Sequence, residues 1–260
     1  MDNLLKEKKV TKSKFIYNVL NQKKDFSLES YNYNFLTDEI HREYGIKPTK
    51  NISSHNYDCY AQKIIDTYPD GLILDCGSGK RNEYLANVVN FDIVNYDTTD
   101  VIGLGEFLPF IDNSFDAVFS LNVLEHVKDP FSCAQEIARV LKPNGILYCV
   151  VPFMSPYHDF PDHFYNMTKE GLANLFKPFL EITKQDVIGS GLPIFSLTWF
   201  LNEWVNGLKK TSTRDMFINL KVRDLLNTPT SYLNKDYVTE LDENTNYKLA
   251  ATTALWATKI

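Results

Sequence analysis

No two of the four cysteines in this 260-residue sequence are spaced C-x-x-C. Cys59, Cys76, Cys133 and Cys149 stand apart, which excludes the common zinc and dithiol motifs. Such sparse, unpaired usage fits a reducing compartment, and Cys76 and Cys149 fall in apolar runs where a thiol serves as a small core side chain. No apolar run reaches 18 residues, and no apolar leader opens the chain. A membrane span and a secretory signal are therefore not expected, and a cytoplasmic location with no membrane partner is. A basic surplus is also lacking: 27 Lys and Arg face 33 Asp and Glu, for a net charge of −6. That argues against a general nucleic-acid binder. Internal repeats and low-complexity tracts are absent too. Asn51-Ile52-Ser53 matches a glycosylation acceptor, read as chance in a chain without a leader.

What is present centres on residues 72–80, Leu72-Ile73-Leu74-Asp75-Cys76-Gly77-Ser78-Gly79-Lys80. An apolar run reads as a buried parallel strand. An acid and two glycines follow, which suits a tight turn whose backbone approaches a ligand. From there strands alternate with helices. The pattern predicts strands at 88–92, 100–105, 115–121 and 146–151, and a further one at 181–189. It predicts helices at 60–68, 81–87 and 168–176. Another starts at Asp129-Pro130, an N-cap acid before a proline suited to the first turn. Lys142-Pro143-Asn144-Gly145 ends that helix. Alternation of this kind means an α/β fold, a doubly wound and mostly parallel sheet with ligands at the carboxyl ends of its strands.

The flanks differ. Residues 1–50 are polar, with Lys6, Lys8, Lys9, Lys12, Lys14, Lys23 and Lys24, and are expected to be a solvated extension rather than an arm for an anionic partner. The domain proper is placed at 51–260. Within it, 191–250 breaks the alternation as a helical insertion or lid, with Trp199, Phe200 and Trp204, before a closing strand at 250–260. Aromatic residues at helical spacing are more commonly core than lid.

The glycine turn has three readings. A phosphate-binding G-x-x-x-x-G-K-[ST] loop fails, because Arg81 follows Gly79-Lys80. A dinucleotide fingerprint lacks its third glycine, with Asn82 in that place. The third is a turn that faces the methionine and ribose of S-adenosyl-L-methionine (SAM), which needs no third glycine. Three segments, LDCGSGK, LPFIDNSFDAVFSLNVLEHVKDP and EIARVLKPNGILYCVVPF, occur in order. With HDFPDHFYNMTKEGLANLF after them, residues 72–176 resemble the class I SAM-dependent methyltransferases of the type 11 group.

The resemblance implies a Rossmann-like methyltransferase sheet, SAM as cofactor and a small-molecule or sugar-like methyl acceptor. Asp75, Cys76, Gly77, Ser78 and Gly79 would border the methionine and ribose. Asp75 would meet the ammonium group, its alternative being a turn cap. Asp92 would accept from both ribose hydroxyls, with Asp97 as its competitor. Asn122 would lie beside the cofactor. The family's acid before Ala-Glu-x-Leu-Pro-Phe is replaced by Leu104, followed by Gly105. The adenine would then lose one hydrogen bond, typically worth about 1 kcal/mol, and Leu104 would pack on its ring. A proton acceptor is sought among His126, His158 and His163, with Asp162 beside them. His158, Asp159, Asp162 and His163 also have the chemistry of a metal site, although no dedicated motif places one there, and none is expected. Two rivals remain, a non-catalytic SAM-binding or scaffold relative and a nicotinamide-dependent oxidoreductase.

Overall fold

The structure is a computed structural model that describes residues 3–29, 31–46, 53–158, 162–255 and 258. Asn51, Ile52 and Asp159 therefore lie outside the described residues. In chain order the first elements are α1 (Asn3–Val19), β1 (Ser27–Glu29), β2 (Asn32–Asn34), α2 (Asp38–Tyr44), β3 (Ser54–His55) and α3 (Cys59–Thr67). Then come β4 (Ile73–Cys76), β5 (Lys80–Arg81), β6 (Val88–Asp92), β7 (Val101–Ile102), β8 (Phe115–Leu121), α4 (Pro130–Val140), β9 (Leu141–Val150) and α5 (Lys169–Phe176). The remaining helices are α6 (Pro193–Gly207), α7 (Thr211–Ile218), α8 (Asp236–Thr239) and α9 (Glu243–Lys248). The chain forms two compact units, Met1–Phe153 with Asp159–Gln185, and Met154–His158 with Asp186–Ile260.

The first unit holds a seven-stranded sheet in the order β1-β2-β7-β6-β4-β8-β9. All its pairs are parallel except the β1–β2 hairpin. The central strands alternate between two apolar clusters, with a break at Phe115, which joins the first. Leu74, Val89 and Val118 face the one that α1, α4 and α5 cover, while Ile73, Val88, Ala117 and Phe119 face the one that α3 covers through Ala61 and Ile65. Period-2 alternation with both faces apolar is what a sheet buried on both sides requires. Each fully buried side chain of this kind contributes about 1.5–3 kcal/mol.

The end of the sheet at the amino termini of its strands is tied by Asp116. Its carboxylate accepts the Leu72 N–H at 2.8 Å and the Lys142 ammonium at 2.8 and 2.9 Å. Lys142 opens a four-residue excursion in β9, between the pairs Phe115–Leu141 and Ala117–Ile146. Asn144 there takes a left-handed φ of 64°, which Asn tolerates better than most residues.

The polar N-terminus is not a solvated extension. α1 lies on the apolar cluster through Ile16, with Leu20 just after it. Lys9 and Lys12 are only 1% and 2% exposed. The Lys9 ammonium donates to Asn32 Oδ1 (2.7 Å) and to the Thr99 carbonyl (2.6 Å). Lys12 pairs with Asp100 at 2.5 Å and sits 4.1 Å above the Tyr84 ring. Burial lowers the Lys9 pKa to about 8, against the pull of Asp100. β1 and β2 extend the sheet past β7, with Tyr33 opposite Val101.

Two expected elements are not formed, and a third is not formed over its described residues. Residues 82–87 make a bent loop after β5, not a helix. Eleven residues separate β4 from β6, the lower limit for a crossover that contains a helix. Here Lys80 and Arg81 pair with Ser54 and His55 instead. Residues 181–188 carry no strand; of the closing strand expected at 250–260, residues 250–255 form none, and 256, 257, 259 and 260 lie outside the described residues. Thus among the described residues β9 has no further partner beyond β8.

The second unit is helical. Trp204 and Val205 of α6 pack with Leu208, Phe217, Tyr237 and Leu241. Trp204 stacks on Phe217 at 5.6 Å and donates its Nε1 hydrogen to the Tyr237 carbonyl at 2.8 Å.

Candidate functional site

β4 delivers Asp75 to the carboxyl edge of the sheet, and the chain then turns through Gly77 (φ 81°) and Gly79 (φ 59°). Both angles lie where a Cβ is disfavoured. Space is also lacking: a Cβ on Gly77 would stand 2.3 Å from Val123, and one on Gly79 2.7 Å from the Ser53 carbonyl oxygen. The turn is fastened to β6, since the N–H groups of Gly77 and Ser78 donate to the Phe91 carbonyl at 2.8 and 3.0 Å. The Gly79 N–H donates to Asp92 Oδ2 at 2.7 Å, and the Val94 N–H to Asp92 Oδ1 at 2.8 Å. The Ile93 N–H also lies against this carboxylate, which with about four acceptor positions retains room for a further donor. Burial raises the Asp92 pKa to about 6, while the backbone donors oppose that rise. Asp97, the competitor, stands well exposed beside Lys80 at 3.8 Å.

Asp75 is fully buried and already engaged. Arg81 Nε donates to its Oδ2 (2.7 Å), Arg81 Nη2 to its Oδ1 (3.0 Å), and the Tyr57 hydroxyl to Oδ2 (2.7 Å). Arg81 also lies 4.4 Å from the centre of the Tyr57 ring and donates to the His55 carbonyl at 3.1 Å. Burial works against the guanidinium charge, yet the carboxylate holds the Arg81 pKa above its ordinary value. Burial and the same carboxylate push the Tyr57 phenol up. Arg81 and Tyr57 are missing from the sequence-based set of site residues. The signal for Arg81 was its place directly after the glycine turn.

Cys76 ends β4 inside the main apolar cluster beside Cys133, a packing position. Leu104 is buried and precedes a short helical turn, Gly105–Phe107. Gly105 is required for packing, because a Cβ there would meet Cys133 Sγ at 2.8 Å. The acid of this turn, Glu106, is buried and accepts backbone N–H groups of Lys128 and Asp129. Its task is to hold the loop after β8. Asn122 leaves β8 with φ 57° and donates its N–H to the Val150 carbonyl at 2.9 Å. That left-handed step turns the chain along the sheet edge into Leu124–His126.

Glu125 is 0% exposed, and neither carboxylate oxygen has a hydrogen-bond partner among the described residues. Burial drives its pKa to about 8. Its backbone carbonyl accepts from the N–H groups of Phe164 (2.7 Å) and Tyr165 (3.2 Å). The segment after residue 161 is thus strapped to this turn. His126 Nδ1 lies 2.6 Å from the Asp162 carbonyl. A carbonyl only accepts, so in the neutral ring Nδ1 carries the hydrogen and Nε2 holds the lone pair, 3.9 Å from Glu125 Oε1. The His163 ring is 5.8 Å from that of His126, and its Nε2 faces the Tyr165 carbonyl and Asn166 Oδ1 at 3.2 and 3.0 Å. The structure therefore brings His126, Asp162 and His163 together. His158 belongs to the second unit, where its ring lies 5.2 Å from Trp199 and its Nδ1 2.9 Å from the Pro156 carbonyl.

The residues at this edge fit SAM on the ribose side. The Asp92 carboxylate retains acceptor capacity, which suits a ribose hydroxyl. They fit less directly at the ammonium, because Asp75 is already neutralised by Arg81.

A family model described as a methyltransferase domain matches residues 72–149. Among curated relatives, an uncharacterised Methanocaldococcus jannaschii protein is 31% identical over 154 residues, covering 54% of this chain and 63% of the relative. Demethylmenaquinone methyltransferase of Corynebacterium glutamicum is 45% identical over 60 residues, 23% of this chain and 26% of that protein. Rice cycloartenol-C-24-methyltransferase 1 is 40% identical over 53 residues, 19% of this chain and 15% of that one. The chain thus spans between 15% and 63% of the length of these relatives. Among solved structures, the YcgJ protein of Bacillus subtilis aligns with 62% of this chain and 89% of its own, at 19% identity and a TM-score of 0.38.

Proposed function

We propose, from the match of residues 72–149 to a family model described as a methyltransferase domain, that this chain transfers a methyl group from SAM to a small-molecule or sugar-like acceptor. The observation that carries the reading is the join between the glycine turn and Asp92. The Gly79 N–H holds the Asp92 carboxylate at the carboxyl edge of β6, with acceptor capacity left over.

Bound SAM supplies a methyl group on a sulfonium, which is electrophilic without further activation. The chain supplies position. Asp92 accepts from the ribose hydroxyls, and Leu104 packs on the adenine. The turn at Gly77 to Gly79 borders the methionine moiety. Asp75 acts through Arg81 rather than as a free anion, and the pair keeps this wall of the site close to neutral. Much of the rate in such a displacement comes from holding the acceptor atom about 3 Å from the methyl carbon, in line with the bond that breaks. His126 Nε2 takes the proton of an oxygen or nitrogen acceptor, its ring fixed through Nδ1 by the Asp162 carbonyl.

Calorimetry with SAM and with S-adenosylhomocysteine tests the reading. Binding of either, weakened about tenfold or more by Asp92→Asn, supports it. No binding of either at millimolar concentration would remove it and leave a scaffold relative. Tritiated-methyl transfer from SAM into a cell extract would then identify the acceptor.

A further inference from the structure

Buried polar side chains are hydrogen-bonded in native folds, and each exception points to a water, an ion or a chemical role. Glu125 is such an exception. It is 0% exposed, and neither carboxylate oxygen has a hydrogen-bond partner among the described residues. The two histidines next to it in the same unit narrow the choice.

His126 follows Glu125 on the short turn Leu124–His126. Its Nδ1–H is committed to the Asp162 carbonyl at 2.6 Å, which leaves the lone pair on Nε2, 3.9 Å from Glu125 Oε1. His163 is committed in the opposite sense. Its Nε2 faces two acceptors, the Tyr165 carbonyl at 3.2 Å and Asn166 Oδ1 at 3.0 Å. Nε2 therefore carries the hydrogen, and Nδ1 holds the lone pair. The segment that brings His163 here is fastened by the N–H groups of Phe164 and Tyr165 on the Glu125 carbonyl. An imidazole that donates from one nitrogen to a backbone carbonyl and keeps a lone pair on the other is in the usual state of a metal-bound histidine.

The spacing agrees. A divalent transition ion bonds imidazole nitrogen and carboxylate oxygen at about 2.0–2.2 Å, so two donors on one ion stand about 3–4 Å apart. Glu125 Oε1 and His126 Nε2 are 3.9 Å apart. The centre of a bound ring lies about 3.2 Å from the ion, so two rings on one ion have centres about 5–6 Å apart. Those of His126 and His163 are 5.8 Å apart. A buried water would satisfy Glu125, but it would not call for both ring tautomers. Two imidazoles with one carboxylate suit zinc or cobalt, not magnesium or calcium, which take oxygen ligands. The metal chemistry visible in the sequence at 158–163 is thus redistributed by the fold. Asp162 gives its backbone carbonyl to orient His126, and the carboxylate comes from the turn after β8.

We infer that Glu125, His126 and His163 bind a divalent transition-metal ion, through Glu125 Oε1, His126 Nε2 and His163 Nδ1. The Asp162 and Tyr165 carbonyls orient the two rings, and water takes the fourth position. The ion occupies the same Nε2 lone pair that the proposed proton transfer uses. A loaded centre and a free His126 base therefore exclude each other, and the bound ion blocks that transfer. The ion site itself does not rest on the methyltransferase reading.

The test is calorimetric titration of the full chain, first freed of metal with a chelator, with zinc and with cobalt(II) ions. One equivalent of either is expected to bind, and cobalt should give the visible absorption of a site with four or five ligands. Magnesium ions should not bind at the same concentrations. Glu125→Gln, His126→Ala and His163→Ala should each weaken zinc binding by about 100-fold or more. Gln keeps the size of Glu, and an unchanged circular dichroism spectrum verifies that each variant is folded. Zinc should also raise the melting temperature of the parent chain and not that of the variants. No binding of zinc or cobalt at millimolar concentration overturns the inference, as does zinc binding that survives any one of the three substitutions in a folded chain. SAM calorimetry on the chelated chain is a separate measurement, so a failure of the methyltransferase reading leaves the metal result unaltered.

Discussion

Arg81 holds Asp75 through two parallel hydrogen bonds of 2.7 and 3.0 Å, and both side chains are buried. The acid at the end of β4 is thereby a counter-ion within its own turn. Removing one partner of such a pair leaves a buried charge alone, at a typical cost of about 3–5 kcal/mol. Arg81→Met is expected to lose that much in denaturant unfolding. Asp75→Asn combined with Arg81→Met should cost less than the two single changes added together. Additive costs would mean that the pair is not coupled.

Glu125 should leave a pH signature on stability. Its folded pKa is raised to about 8 from an ordinary 4.5, so between these values the folded state keeps a proton that the unfolded chain has released. The stability tied to the protonated acid is complete below 4.5 and is lost as the pH rises through 8. The slope approaches about 1.4 kcal/mol per pH unit in that window. Glu125→Gln should remove this contribution, measured as unfolding free energies from pH 4.5 to 8. An identical pH dependence in the variant would show that the carboxyl is not held in its neutral form.

Gly79→Ala should destabilise the chain by more than about 1 kcal/mol. It imposes a left-handed φ on a residue with a Cβ and drives that atom to 2.7 Å from the Ser53 oxygen. The same change displaces the N–H that holds Asp92, so calorimetric affinity for SAM should fall with it. A loss of stability with unchanged affinity would separate the turn from the cofactor.

Lys12→Met tests the burial of the N-terminus. It strands Asp100, which among the described residues keeps the Tyr84 hydroxyl and the N–H of Asn90 as donors. A loss of about 3 kcal/mol or more is expected, readable as a lower melting temperature. A surface lysine would give a change within about 0.5 kcal/mol.

Much of the sheet is legible in the sequence because its apolar runs are continuous and bounded by turn residues. β6 and β8 fall at 88–92 and 115–121 as expected, and Asp129 caps α4 as the sequence suggests. α1 escapes detection for a physical reason. Its lysines look solvated because the groups that bury them, Asn32, Thr99 and Asp100, are remote in sequence. The helix expected at 81–87 fails because its residues are drawn elsewhere, Arg81 to Asp75 and Tyr84 to Asp100. Asp92 could be picked out as the acid that ends a strand. Glu125 could not be given a role, because its burial shows only once the chain is folded.

The carboxylate of Asp116 joins the starts of β4, β8 and β9 through the Leu72 N–H and the Lys142 ammonium. The sheet is therefore cross-braced at the end away from the glycine turn by a single side chain that serves three strands, whereas at the opposite end the Asp92 carboxylate ties the turn after β4 to β6. Substitutions at the open edge can change what is recognised there without loosening the hinge line on which the three strands are registered.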